Sequence, residues 1–365
     1  MVRWDSLRAR FAFAAIAVLA GCSSYSQVTP PAGDTPQSRA HAGVRLPATV
    51  VNARGVPLVV TPEAFAAAAL EAGRKVPAGS SVLPETEKSK TWSASVFVSD
   101  AGGTGDGAVY QFTSNKKGKL LGSITDVVNP QGMDSDSNGN LWVASTGNST
   151  IRAYPPGVYK AATVLSDPDE FPVSVAVCPN GTVYGSNAYD LSFLPGNIVI
   201  YSPGSTSPTG TVPDGNIYSA TFVACDANNV LWYDYLDYTY NPNVASYNGT
   251  TVTEYGSLGL TPNTIPGGIR AGKNGTTLAI ADQGAATIDL FTKSNPAAGP
   301  YATLKGLFSD PVSFSFIKSQ SDVWVADDAK VEALEATLKG KVPATVGSGT
   351  LVQPIDAYAF PTGNT

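Results

Sequence analysis

Val96-Phe97-Val98-Ser99-Asp100, Leu141-Trp142-Val143-Ala144-Ser145, Val183-Tyr184-Gly185-Ser186-Asn187, Leu231-Trp232-Tyr233-Asp234, Leu278-Ala279-Ile280-Ala281-Asp282 and Val323-Trp324-Val325-Ala326-Asp327 are six copies of one phrase: an apolar strand closed by a small, amide or acidic residue. Counted from their second residues, the copies lie 45, 42, 48, 47 and 45 residues apart. A period of that size, with room for four short strands per unit, predicts an all-β, six-bladed β-propeller. An alternating strand precedes the later copies, as in Val173–Val177 and Val312–Phe316. Asn138-Gly139, Asn180-Gly181, Asn228-Asn229 and Asn274-Gly275 lie between the two, where two-residue hairpins need positive φ. A third strand follows each copy: Ala108–Phe112, Thr150–Tyr154, Asn197–Tyr201, Val244–Tyr247, Thr287–Phe291 and Lys330–Leu334.

The first copy lacks a leading strand, and the C-terminus has one to spare. Pro354 to Pro361 alternates between prolines just as Pro172 to Pro179 does. An open ring would leave a bare edge, so this segment is expected to be the innermost strand of the first blade. Phe97, Trp142, Tyr184, Trp232 and Trp324 then point to one sheet face and pack between blades.

Composition agrees with this reading and narrows function. The 365 residues are 43% hydrophobic and 14% charged, with 36 Gly, 27 Pro and 16 Tyr, which is not a helical or disordered composition. A formal charge of −6 argues against a nucleic-acid partner, because neutralising phosphates needs basic surface. The single histidine, His41, falls outside the repeats, so a His-based nucleophile system has no base in the propeller.

Upstream of the repeats the chain reads as an address. Arg3, Arg8 and Arg10 precede an apolar run over 11–20 that is too short to span a bilayer. Leu19-Ala20-Gly21-Cys22 resembles a bacterial lipobox, which implies cleavage after residue 21 and acylation (palmitate) of Cys22. Ser23, rather than Asp, implies outer-membrane sorting in a diderm, with the chain exported and facing the periplasm or the surface. Cleavage removes three Arg and Asp5 and moves the formal charge from −6 to −8. Residues 22–47 are expected to be a flexible tether. Residues 48–90 carry a short helix over 62–72, with Thr61 as N-cap, Pro62 at the first helical position and Gly73 as the stop. Residues 91–365 form the propeller.

Asn140 to Tyr154, with Leu141-Trp142-Val143-Ala144-Ser145 at its heart, resembles an NHL-type propeller repeat, and residues 91–361 are similar to the wider gluconolactonase and streptogramin-lyase group. In such blades the turns after the second strands share one face with the inter-blade connections. That face collects Asp100, Asp106, Asp126, Asp167, Asp169, Glu170, Asp190, Asp214, Asp237, Asp282, Asp310, Asp327 and Asp328; Lys116, Lys117, Lys119, Lys160, Lys293 and Lys339 fall on the other. An acidic face attracts cations and basic partners. Its Tyr-rich loop, with Tyr233, Asp234, Tyr235, Asp237, Tyr238 and Tyr240, suits a protein, peptide or glycan. Three functions compete: a binding module on this face, a structural envelope protein, and a Ca2+-dependent lactonase-like hydrolase. The resemblance implies for the hydrolase a carboxylate/Asn site at the channel mouth, with Asp100, Asn187, Asp282, Asp327 and Asp356 as oxygen donors beside Asp234. No catalytic residue stands out, no cofactor beyond possible Ca2+ is implied, and a monomer is expected. Cys178 and Cys225 sit at the ends of neighbouring leading strands, six and seven residues before the second residue of the following phrase. That offset of one turns them to opposite faces unless a bulge intervenes, leaving a disulfide and two buried thiols both open.

Overall fold

The computed structural model describes residues 50–51, 57–59, 92, 94–102, 106–116, 118–192, 194–317 and 322–360. The chain divides into units 1–48 and Thr49–Thr365, and every described residue lies in the second. Cys22, His41, the tether and the expected helix over 62–72 lie outside the described residues. Val50–Val51 and Pro57–Val59 form a small antiparallel pair.

Six four-stranded antiparallel sheets follow, each a blade. Blade 2 is Pro130–Ser135, Leu141–Ser145, Thr150–Tyr154 and Thr163–Ser166, from the innermost strand outward. Blade 3 is Glu170–Val177, Val183–Asp190, Ile198–Tyr201 and Gly210–Thr211. Blade 4 is Ser219–Cys225, Leu231–Leu236, Pro242–Tyr247 and Val252–Gly256. Blades 5 and 6 begin at Pro266–Ala271 and Pro311–Phe316. Blade 1 joins the two ends of the ring: Pro354–Phe360 is innermost, followed by Ser95–Asp100, Ala108–Thr113 and Leu120–Ile124. Tyr358 opposes Phe97 and Ala357 opposes Val98 in this closing pair. Each innermost strand packs against the innermost strand of the next blade right around the circle.

The local chemistry explains the pattern. Pro130, Pro266, Pro311 and Pro354 each open an innermost strand, where a missing N–H removes no interior ladder bond. Every one of the six innermost strands carries a register irregularity near its start, which bends the strand around the axis. Close approach at the axis demands glycine: a Cβ on Gly268 would lie 2.9 Å from the Ser313 Cα, and one on Gly132 2.9 Å from the Ser174 Cα. The turns at Asn138-Gly139, Asn180-Gly181 and Asn228-Asn229 hold three residues and the one at Asn274-Gly275 four, rather than two. Gly139 N–H bonds Asp136 O and Asn229 N–H bonds Asp226 O, with φ of +77° and +62° at the last turn residue.

The core lies between blades. Phe97 clusters with Met133, Leu141 and Val143 of blade 2, and Tyr184 with Tyr233 and Ala245 of blade 4. Trp232 meets Ile269 and Leu278 of blade 5, and Trp324 meets Val96 and Ala357 of blade 1. Trp142 is half-buried against Val175 and Tyr201 of blade 3. Strand alternation produces this, because every second residue of a strand faces the same neighbouring sheet.

Candidate functional site

The turns after the second strands and the inter-blade connections share one face, here called the loop face, which follows from the antiparallel order of each blade. Its carboxylates divide into two kinds. Asp100 accepts the N–H groups of Gly102, Val352 and Gln353; Asp282 those of Thr261 and Ala285; Asp327 those of Ser309, Asp310 and Lys330. Each thus fastens the connection that enters its own blade, and Ser145 does the same in blade 2 by accepting the Val128 N–H at 2.9 Å. Asp100, Asp167, Asp282, Asp310 and Asp327 are at most 3% exposed. The face is therefore less charged at its surface than the count of acids suggests. Asp126 and Asp169 are exposed, while Asp106, Glu170, Asp190, Asp214, Asp237 and Asp328 are half-buried.

Asp356 faces the ring axis. Its Oδ2 accepts from Arg270 Nη2 at 2.7 Å and from the Met133 N–H at 2.8 Å. The Arg270 guanidinium also reaches Phe314 O, Met133 O and Ile269 O, so one side chain from blade 5 ties together blades 6, 1 and 2. Asp134 lies beside this pair, accepting from the Val177 N–H and the Tyr358 hydroxyl; burial pushes it up to about 6 against the pull of Arg270. Asp234 lies one rung from the strand-end position of the other carboxylates and points within its own blade, to the Phe222 N–H and the Thr221 hydroxyl. Burial raises it to about 7. Asp100, Asn187, Asp282, Asp327 and Asp356 are thus distributed among four blades, the four carboxylates each engaged by local donors. Among the described residues no group of three or more His, Cys, Asp or Glu is placed to hold a metal.

The Tyr-rich loop of blade 4 does border a cleft, open to solvent and about 350 Å³ in volume, lined by Asn216, Tyr235, Asp237, Tyr238, Thr239, Asn243, Glu254 and Gly256. The loop is held by Asp237, whose Oδ1 accepts from the N–H groups of Thr239 and Asn241 and whose Oδ2 accepts from Asn243 Nδ2 at 3.0 Å. Burial opposes ionisation here, but these donors and the Thr239 hydroxyl outweigh it and hold the Asp237 carboxyl below its ordinary range. Tyr235 lies under the cleft and donates its hydroxyl to Glu254 Oε2 at 2.8 Å, and Asn216 Nδ2 donates to Glu254 Oε1 at 3.3 Å. Burial first, and then the nearby Asp214 charge, raise Glu254. Tyr233 is buried with its hydroxyl on Asp214 at 2.7 Å. Tyr240 is buried and stacks edge-on against Tyr218 at 4.9 Å. Tyr238 alone among the candidate tyrosines is exposed, at 41%, with its ring 5.7 Å from Tyr218. Sequence reasoning passed over Asn216, Glu254 and Gly256. It also passed over Arg270, although a lone charge in the strand Gly268-Ile269-Arg270-Ala271 was a visible signal.

Cys178 and Cys225 are joined in a disulfide, with Cα atoms 5.1 Å apart. Cys225 ends the innermost strand of blade 4, whereas Cys178 lies one residue beyond that of blade 3, at the entry to its turn. There the pleat no longer dictates side-chain direction, which is how the offset is absorbed.

A chain of the solved nidogen/laminin complex superposes on this one with a TM-score of 0.60 at 14% identity, over 72% of this chain and 97% of that chain. The likeness supports the propeller fold. No family model and no curated protein matches the sequence.

Proposed function

We propose that this six-bladed propeller is a binding module, anchored to the outside of a bacterial membrane through Cys22, that engages a protein, peptide or glycan at the blade-4 cleft. The cleft carries the reading: an exposed aromatic, Tyr238, stands beside the exposed amide of Asn216 and carboxylate of Glu254, on a rim fixed by Asp237. An aromatic face next to fixed polar groups is the usual makeup of a recognition surface. The nidogen/laminin chain is a propeller found in a complex with a protein, which favours a polypeptide partner.

Affinity capture from detergent-solubilised envelope tests it. Tyr238→Ala and Glu254→Gln both leave the core intact, and the double variant is expected to lose at least tenfold of the captured partner while its melting temperature stays within about 2 °C. Unchanged capture removes the cleft from the account. The anchor is tested by Cys22→Ala, expected to move the chain from the membrane fraction to the soluble one and to abolish incorporation of labelled palmitate. Unchanged fractionation and labelling contradict it.

A further inference from the structure

Blades 3 and 4 depart from blades 1, 5 and 6 at the position that fastens the inter-blade connection, and blade 3 does so with an amide. Where Asp100, Asp282 and Asp327 each accept backbone N–H groups from the preceding connection, blade 3 has Asn187, and the connection supplies a carboxylate of its own, Asp167. A tight turn with Asp169 at φ +64° brings Glu170 back towards Asp167, the Glu170 N–H reaching Asp167 O. Glu170 and Asn187 lie on neighbouring rungs of the blade, since Glu170 opposes Asp190 and Pro172 opposes Asn187. Asn197 clamps both from the residue before the third strand: its Nδ2 donates to Glu170 Oε1 at 2.6 Å, and its Oδ1 accepts from Asn187 Nδ2 at 3.1 Å. The Asp167 side chain lies against those of Asn187 and Tyr201.

Four buried oxygens remain with no hydrogen-bond partner: Oδ1 and Oδ2 of Asp167, Oε2 of Glu170 and Oδ1 of Asn187. Asp167 is 1% exposed and Asn187 0%. Burying one such oxygen without a partner is costly, and an ionised carboxylate more so. Folding therefore collects more acceptors than donors here: Asn197 Nδ2 serves Glu170 Oε1, and the Asn187 amide and Tyr201 hydroxyl beside Asp167 are engaged on Asn197 Oδ1 and Ser166 O. No lysine or arginine forms an ion pair with either carboxylate among the described residues.

We propose that Asp167, Glu170 and Asn187 form a Ca2+ site on the loop face of blade 3. Hard carboxylate and amide oxygens are the donors Ca2+ takes, and its tolerance of irregular, partly hydrated shells suits three side chains on one side of the ion better than the strict octahedron of Mg2+ does. The ion would replace the missing loop fastening of this blade. The site is separate from the blade-4 cleft, and neither reading depends on the other.

The full chain is purified in detergent, stripped with chelator, and melted with and without millimolar CaCl2. The melting temperature is expected to rise by several degrees with Ca2+. Asp167→Asn, which keeps the shape and removes an unpaired buried charge, is expected to melt no lower than the metal-free wild type and to lose the Ca2+ response; Glu170→Gln behaves likewise. Tb3+ gives a second readout, since Tyr201 beside Asp167 should sensitise its emission and Asp167→Asn should abolish it. A wild type indifferent to Ca2+ overturns the proposal. An equal response in the Asp167→Asn and Glu170→Gln variants overturns it in favour of binding elsewhere.

Discussion

Arg270 is 2% exposed and lies at the axis of the ring, where its guanidinium finds four backbone carbonyls and the carboxylate of Asp356. Such a pair contributes little over an apolar substitute, yet breaking one half of it leaves the other charged and buried. Arg270→Met is therefore expected to cost about 3–5 kcal/mol in urea unfolding, and Asp356→Leu added to it should restore part of the loss. A loss below about 1 kcal/mol for the single variant would show that the axis is wet and the pair screened. The same scale separates the tyrosines. Tyr233, Tyr235 and Tyr240 support the loop from below, so truncating them would disturb folding and report nothing about a ligand, whereas Tyr238 can be removed from the surface alone.

At the scale of elements the closing strand decides whether there is a ring. Pro354–Phe360 is buried along its whole length, and it covers the inner edge of Ser95–Asp100. Deleting 354–365 should expose that edge and give aggregated or non-cooperatively unfolding protein by size exclusion and thermal melting. A soluble monomer with unchanged cooperative melting would mean that the ring does not need its closing strand. This strand was legible in the sequence, because alternation between two prolines has a period and needs no partner to be recognised. The turns were legible in kind but not in length: Asn-Gly states a positive φ, and only the hydrogen bonds of Asp136 and Asp226 reveal three turn residues. Asp100, Asp282 and Asp327 were misread as surface charge, because a sequence displays a carboxylate and not the loop N–H groups that surround it. Glu254 and Asn216 were missed because their meeting with Tyr235 depends on which rung of the fourth strand and which connection reach the rim, and no local pattern encodes that. Arg270 was legible and overlooked.

Over the whole molecule the polar groups are sorted by role. Axial charges join blades, strand-end carboxylates secure connections, and an open polar cleft lies on the loop face of blade 4; the disulfide between Cys178 and Cys225 links blades 3 and 4 at the other ends of their innermost strands. On the opposite face, Asp226 is taken up by Lys293 at 2.6 Å and by its own turn, and Lys339 is exposed on the last hairpin of blade 6. A single comparison tests whether recognition belongs to the blade-4 rim: a photo-crosslinking amino acid placed at Tyr238 in one strain and at Lys339 in another, each irradiated in intact cells. The account predicts discrete heavier adducts from position 238 and none from position 339. Adducts from 339 alone, or equally from both, would contradict it.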